Sequence, residues 1–428
     1  MTYALIIDFA RWDGWLHLVQ DGHDLPRGPI GVLAYLPLAV LFWWTPRRWQ
    51  AAYLWMSSLL LAFVTLGPGY AVTLAGLAGL GLLLVRTFGQ AKQYRIGLGL
   101  LVVGFAGLIV YRRLPWLPRV DVPPLEEPMY FYLHWAGIAY TFLRIWHVLV
   151  DVAQGKLEVP RASDFFAYLL FAPTLRMGPL YRFNDFAEQL HSNPTSRRGL
   201  GAGLGRIAVG LVRLGIMGAL LDRLPLNVLY DYPGAKGTFS DGEFLLALFM
   251  PAASIYLWIS GYTDLAIGTG RVMGFAVPEN FNYPWASRSI AEFWRRWHLT
   301  LGSWLRDYIY IPLGGNRRHV YFNYVATFVI CGAWHGVRPA HIAWGLSQGI
   351  GLAVWRMWSQ FWARQAAAGS ALYRGLRRLR LVDSPISAGL AWGLTFAYQI
   401  ITIVVVIDER HSGRAVWERL AGMFWGNG

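Results

Sequence analysis

Apolar stretches recur along this chain at Pro29–Trp44, Ala51–Leu66, Tyr70–Val85, Ile96–Tyr111, Ile207–Leu221 (interrupted by Arg213), Phe244–Ile259, Val320–Trp334, Ala340–Trp355 and Ile386–Ile407. An upright helical crossing of a bilayer needs ~20 apolar residues, and several of these runs fall short of that. Polar-flanked neighbours extend some of them, and others read as re-entrant or interfacial elements. The pattern predicts an all-α polytopic membrane protein with about 9–11 membrane-associated helices. Met129–Val152 carries His134, Arg144 and His147, so one face of that helix is expected to meet protein or water. Phe165–Arg182 is broken by Pro173, Gly178 and Pro179. Irregular backbone at membrane depth persists only when buried in protein or lining a cavity, and a re-entrant element is expected there. Gly199, Gly201, Gly203 and Gly205 open the next helix at spacings that allow close helix packing. Met1–Gly28 reads as an amphipathic interfacial segment, and Leu114–Pro128 as a proline- and charge-bearing loop. The chain thus reads as one integral-membrane body, with a variable N-terminal part over residues 1–128 and a core over 129–428.

Composition agrees. Of 428 residues, 55% are hydrophobic and 14% charged, against roughly a quarter charged in soluble domains. The net charge of +14 admits nucleic acid as one reading. The arginines, however, cluster between apolar runs: Arg47 and Arg48, Arg86 to Arg95, Arg197 and Arg198, Arg374 to Arg380. Cytoplasmic loops facing anionic headgroups are built this way, so membrane lipids are the expected partners and nucleic acid is not. Arg112, Arg113 and Arg119 break the alternation if every run spans; either Ile96–Tyr111 does not fully cross or the rule fails there. The single cysteine, Cys331, excludes an internal disulfide and a multi-cysteine metal site, and reads as a small hydrophobe in an apolar run. Asp8, Arg11 and Asp13 interrupt the first stretch and no cleavage-type site follows, so insertion through internal helices is expected.

Chemistry concentrates in Asn280–Arg318, NFNYPWASRSIAEFWRRWHLTLGSWLRDYIYIPLGGNRR, and in CGAWHG, Cys331–Gly336. From Ile290 onward, Phe293, Trp294, Trp297, Leu301, Trp304, Leu305 and Tyr308 fall on one stripe of an amphipathic helix, with Glu292 and Arg296 spaced to pair. An interfacial anchor explains the tryptophans and arginines; it does not explain His298 at the stripe's edge. His335 ends an apolar run and is flanked by Gly332 and Gly336, which leave room for a substrate. Ionisable side chains at membrane depth read as functional, and two such histidines outline a buried reaction site. Burial favours the neutral imidazole, which is able to act as general base toward a hydroxyl; a capping or packing role near Pro339 is the alternative. Gly345-Leu346-Ser347-Gln348-Gly349 matches GxSxG, but a nucleophile elbow needs a strand before its serine and this match lies in a helical run. His298, His335 and His341 lack the carboxylates or HExxH spacing of a metal site, so no metal is expected.

The ordered series SGYTDLAIGTGRVMGF, PENFNYPW, SIAEFWRRWHLTLGSWLRDYIYIPLGGNRR and WHG, with the earlier FAPTLRMGPLYRFNDF, resembles the membrane-bound O-acyltransferase superfamily, in its bacterial alginate O-acetylation and teichoic-acid D-alanylation branch. The resemblance runs from about Met129 to the C-terminus. It implies a ring of tilted helices around a central tunnel that admits an activated acyl donor, acetyl-CoA or another acyl thioester, with no tightly bound cofactor. It maps the essential histidine onto His335 and a second one onto His298. Trp294, Trp297, Arg295, Arg306, Asn316 and Trp334 become expected tunnel or donor residues, with Arg317 beside them. It also implies an inner-membrane enzyme that moves acetyl groups toward a cell-surface or secreted polysaccharide, with an extracytoplasmic SGNH-type transferase as partner. D-alanyl transfer to teichoic acid, or lipid or protein acylation, is the alternative within this chemistry; a non-enzymatic polysaccharide transporter or scaffold is the alternative outside it. The chain departs from the branch at Trp258-Ile259, Val337-Arg338-Pro339 and Gln348-Gly349, where Asp-Phe, an aromatic residue and His-Gly are common.

Overall fold

The computed structural model describes residues 29–89, 93–111, 128–175, 177–192, 199–223, 240–335, 339–379 and 384–407. Met1–Gly28, most of the Leu114–Pro128 loop, Arg197, Arg198 and Gly336–Arg338 lie outside them. Among the described residues the chain is helical, with no strand. It packs as two compact units: Tyr3–Ile216 with Trp258–Pro278, and Met217–Leu257 with Glu279 onward.

The first unit holds α1 (Pro29–Leu41), α2 (Arg47–Leu66), α3 (Pro68–Phe88), α4 (Tyr94–Tyr111), α5 (Pro128–Ala153), α6 (Ala162–Leu169), α7 (Ala172–Leu175), α8 (Phe183–His191), most of α9 (Leu200–Arg223) and the C-terminal half of α10 (Asp241–Val272). Four helices among the described residues are long and apolar enough to cross a membrane: Pro68–Phe88, Leu200–Met217, Asp241–Val272 and Pro385–Ile403. The chain is a polytopic membrane protein.

The expected break at Phe165–Arg182 is present, as α6, α7 and an irregular stretch, and it is buried. Its backbone carbonyls find a side-chain donor. Arg144 on α5, 1% exposed, gives Nη1 to Leu169 O at 3.2 Å and Nη2 to Thr174 O and Oγ1 at 2.5 and 2.8 Å. Beside it His147 Nε2 meets Tyr168 Oη at 2.7 Å, and Tyr168 donates to Tyr181 O at 2.7 Å. Arg144 and His147 on the polar face of α5 therefore meet protein, while the His134 side chain lies outside the described residues.

Helices α9 and α10 approach through glycines. A Cβ on Gly203 would come within 2.8 Å of Gly268 O, and one on Gly210 within 2.8 Å of Gly261 O. The pairing is antiparallel, with seven-residue steps on both helices, as expected of small residues at a membrane helix seam. Arg213, the interruption in the apolar run, points into this seam. Asp264, fully buried, takes Arg206 Nε and Arg213 Nη1, each at 2.6 Å. Removing one member of a buried ion pair strands the other charge. Asp264→Asn is expected to cost about 3 kcal/mol, at the low end for a buried pair because both arginines keep partial contact with the surface. A thermal melt of the detergent-purified protein checks it.

Candidate functional site

The second unit carries both histidines. Its elements are α11 (Ile290–Trp294), α12 (Leu299–Leu305), α13 (Val320–His335), α14 (Pro339–Ala367), α15 (Ala371–Arg378) and α16 (Pro385–Ile407). The single amphipathic helix expected from Ile290 onward is instead broken. Ser289 caps α11 by accepting from Glu292 N at 3.1 Å, and Glu292 Oε2 accepts from Arg288 N at 2.8 Å, a variant of the capping box. That backbone bond, ahead of Arg296, holds the Glu292 carboxyl below its usual range. The Glu292–Arg296 pair forms as spaced, through Nε at 3.1 Å and Nη2 at 2.8 Å. The helix then stops, and His298 adopts a left-handed backbone at φ 47°.

The break has a physical cause in the preceding loop. Asn280, fully buried, accepts from Leu299 N at its carbonyl (2.9 Å) and from Thr300 N and Oγ1 at its side-chain oxygen (3.3 and 2.8 Å). Asn282 N donates to Arg296 O at 2.9 Å. These bonds satisfy donors and acceptors that a continuous helix would pair internally. Past α12 the helix widens by one residue at Arg306–Tyr310, where Ile311 N reaches back five residues to Arg306 O at 2.9 Å. Such π-turns recur at functional sites.

The stripe is core rather than lipid anchor: Phe293, Leu301, Trp304 and Leu305 are all buried within the unit. The left-handed turn tucks His298 in among them, 6% exposed, with Phe281 at 6.4 Å between ring centroids. It lies outside the four candidate spans. Burial pushes its imidazole down to about 4.

His335 is placed differently. It is the last residue of α13 and keeps accessible surface on its side chain, yet burial is the leading influence on its imidazole and pushes its pKa down to about 3. Its ring sits against Trp334 at 4.7 Å and Trp344 at 5.5 Å, and among the described residues neither ring nitrogen holds a hydrogen bond. The reason for the exposure is its position at the end of a helix whose body is packed away. Gly332 leaves no room for substrate, because a Cβ there would collide with the His341 carbonyl; Gly345 is filled likewise by Phe328 O, and Gly349 by Val325. These glycines let α13 and α14 touch. Ser347, inside the GxSxG match, is helical and donates to Trp344 O at 2.7 Å, so it is no elbow nucleophile.

Aromatic rings join the two histidines. From His335 the contacts run through Trp344 to Trp294 (5.9 Å), Phe293 (5.5 Å), Trp297 (5.4 Å) and Phe281 (5.1 Å) to His298. His298 and His341 lie close enough for their charges to act on His335. Trp294, Trp297 and Trp334 thus belong to one wall with the histidines. Arg295, Arg306 and Asn316 do not join it: Arg295 is exposed beside Glu292, and Arg306 pairs with Asp307 at 2.8 Å. Asn316 accepts from Arg356 and Tyr310, both at 2.9 Å. It precedes the N-terminus of the 16-residue α13, ~24 Å of helical rise from His335.

Sequence reasoning missed Gln348. It is fully buried, accepts from Trp294 Nε1 at 3.1 Å and from Gln399 Nε2 at 3.3 Å, and donates to Thr402 Oγ1 at 2.9 Å. It therefore fixes the indole that links the two histidines. A lone amide in an apolar run was the available signal, read only as part of a decoy and as a departure from the family pattern.

The structure defines an all-helical membrane protein with an accessible histidine at one helix end and a buried one behind an aromatic wall. Residues 126–373 match the membrane-bound O-acyltransferase family model, and the chain belongs to that family. It is 38% identical over 289 residues to the probable alginate O-acetylase AlgI of Pseudomonas aeruginosa, covering 67% of this chain and 50% of that protein. It is 33% identical over 218 residues to a peptidoglycan O-acetyltransferase of Helicobacter pylori (50% and 41%). With a teichoic acid D-alanyltransferase of Bacillus subtilis the identity is 26% over 326 residues (71% and 80%). The chain spans about half the length of the alginate O-acetylases it matches.

His298 gives a test of its burial. Its folded-state pKa lies below the unfolded value of about 6.5, so its contribution to stability is complete above that pH. The contribution is lost as pH falls from about 6.5 to about 4, amounting to about 3 kcal/mol at most. Melting temperatures across this window are expected to fall less steeply in His298→Gln than in the unsubstituted protein.

Proposed function

We infer that this protein is an inner-membrane O-acyltransferase that moves an acyl group, acetyl in the favoured case, from a thioester donor toward hydroxyls of a cell-surface or secreted polysaccharide. The observation that carries this reading is His335: an exposed imidazole with both nitrogens open among the described residues, held by Trp334 and Trp344 in the WHG motif of the family-matched segment. In the proposed reaction a neutral His335 nitrogen takes the acceptor hydroxyl's proton as that oxygen attacks the thioester carbonyl. The tetrahedral intermediate collapses with loss of the thiolate, which recovers the proton from the imidazolium; an ester and a free thiol result. His298 has a different part. Sealed behind the rings and uncharged, it is a positioning residue that shapes the donor end of the wall without adding a second positive charge.

Acetyl-CoA or another diffusible acyl thioester is the favoured donor. The relatives named for alginate and peptidoglycan O-acetylation support acetyl and polysaccharide. The relative named for teichoic acid D-alanylation, of which the chain covers 80%, supports D-alanyl transfer as the second reading. An extracytoplasmic transferase of the SGNH type, receiving the acyl group before the polymer does, fits the lack of a nucleophilic serine at Ser347.

Purified chain in nanodiscs, supplied with radiolabelled acetyl-CoA, polysaccharide acceptor and an extracytoplasmic SGNH-type transferase, is expected to transfer label. His335→Ala should lower the rate ~10²–10⁴-fold, the usual span for loss of a general base. Transfer at the unsubstituted rate would remove His335 from the mechanism, and label from a D-alanyl thioester alone would favour the second reading.

A further inference from the structure

Helix α14 does not run on into α15. Gly369 takes φ 54°, a conformation open chiefly to glycine, and Ser370 N returns to Gln365 O at 3.1 Å. Ser370 Oγ then accepts from Tyr373 N at 3.1 Å and caps the new helix. The turn ends one element and starts another.

The helix so started, ALYRGLRR, buries none of its eight residues. At ~100° per residue, Leu372, Leu376 and Leu379 share one side of this segment and Arg374, Arg377 and Arg378 the other. Leu372 is 52% exposed and Leu379 69%. Arg374 donates to the Gly369 carbonyl, and among the described residues none of the three arginines meets a carboxylate. An isolated helix this short is marginal in water. The next described helix, α16, contains the candidate span Pro385–Ile403, so α15 is tethered close to the end of a membrane crossing.

A surface that receives leucines on one side and arginines on the other supplies what the unit itself does not. We propose that α15 lies on the anionic headgroup surface of the membrane, with its leucines in the acyl boundary and its arginines among lipid phosphates. Anionic lipid and positive segments both mark the cytoplasmic side. The α15 anchor therefore sets the C-terminal end of α14, which carries Arg356, toward the cytoplasm, and with it the N-terminal end of α13, preceded by Asn316, rather than the end that carries His335. The inference stands whether or not the acyl-transfer reading holds.

The test uses the full chain with Leu372→Cys labelled by an environment-sensitive bimane; the chain without that substitution, whose Cys331 is buried, is the labelling control. Emission is read in phosphatidylcholine nanodiscs and in phosphatidylcholine–phosphatidylglycerol nanodiscs. A blue shift in the anionic discs is expected, lost when Arg374, Arg377 and Arg378 are all replaced by Gln and kept when all three are replaced by Lys. Equal emission in the two lipids, or a shift that survives the Gln replacements, overturns the proposal. Water-like emission in both discs also overturns it and leaves the leucine face to a protein partner. The comparison between lipids needs no arginine variant, so a misfolded triple variant does not mask the result.

Discussion

A break in a helix exposes backbone donors and acceptors that lipid is unable to satisfy, and this constraint organises both units. Each break is sealed by one buried polar residue. In the first unit Arg144 delivers its guanidinium to the Leu169 and Thr174 carbonyls. In the second the Asn280 side chain receives the Thr300 donors, and its backbone carbonyl receives Leu299 N. An unmet amide in an apolar setting costs several kcal/mol, so neither side chain is an optional decoration. The return for that cost is geometric: at the second break the backbone turns left-handed and His298 leaves the helix periphery for the interior of the unit.

The seam between α13 and α14 imposes a second constraint. Glycine on both helices brings backbone against backbone, so the side chains that matter are pushed to the ends of the pair. One end presents His335 with Trp334 and Trp344. Toward the other lie Arg356, Asn316, Tyr310 and Tyr324, with Arg356 Nη1 donating to both Asn316 Oδ1 and Tyr324 Oη, and the two tyrosine rings stacked at 5.2 Å. The close-packed body between them keeps the two chemistries apart by about the rise of α13. Residues adjacent in the motif list are therefore distant in space. Asn316 and Arg317 follow His298 closely in sequence yet share no described contact with the aromatic wall.

Much of this was legible in the sequence. Apolar run length and the arginines between runs give a helical membrane protein, and the Pro173, Gly178 and Pro179 interruptions mark the first break correctly. Of the four glycines that open α9, Gly199 and Gly203 do meet α10, whereas Gly201 and Gly205 face open space and the seam continues through Gly210 instead. The Glu292–Arg296 pair follows from spacing alone, because it lies within two turns of backbone. Periodicity failed beyond Trp294, where the apolar stripe continues smoothly through a place at which the helix does not. The failure is physical: the stripe records which side chains face inward, and a turn that keeps them inward leaves the pattern intact. What ends the helix is Asn280, fourteen residues upstream of Trp294, and no local periodicity reports a tertiary hydrogen bond. Gly332 misled for a related reason, since a missing side chain looks the same in sequence whether a substrate or a neighbouring carbonyl fills the space.

The two histidines are distinguished by access rather than by depth. A general base must reach the proton it removes, and only His335 has an exposed ring with open nitrogens among the described residues. His298 is sealed, and its depressed pKa keeps it uncharged at neutral pH. A charge there would act on His335, and a positive one would weaken it as a base. Burying His298 thus does two things at once: it supplies a ring to the aromatic wall, and it keeps a cation away from His335. Gln348 supports the same arrangement from behind. By fixing the Trp294 indole it fixes the contact through which the wall meets Trp344 and His335, so the placement of the imidazole depends on a hydrogen bond buried behind the wall.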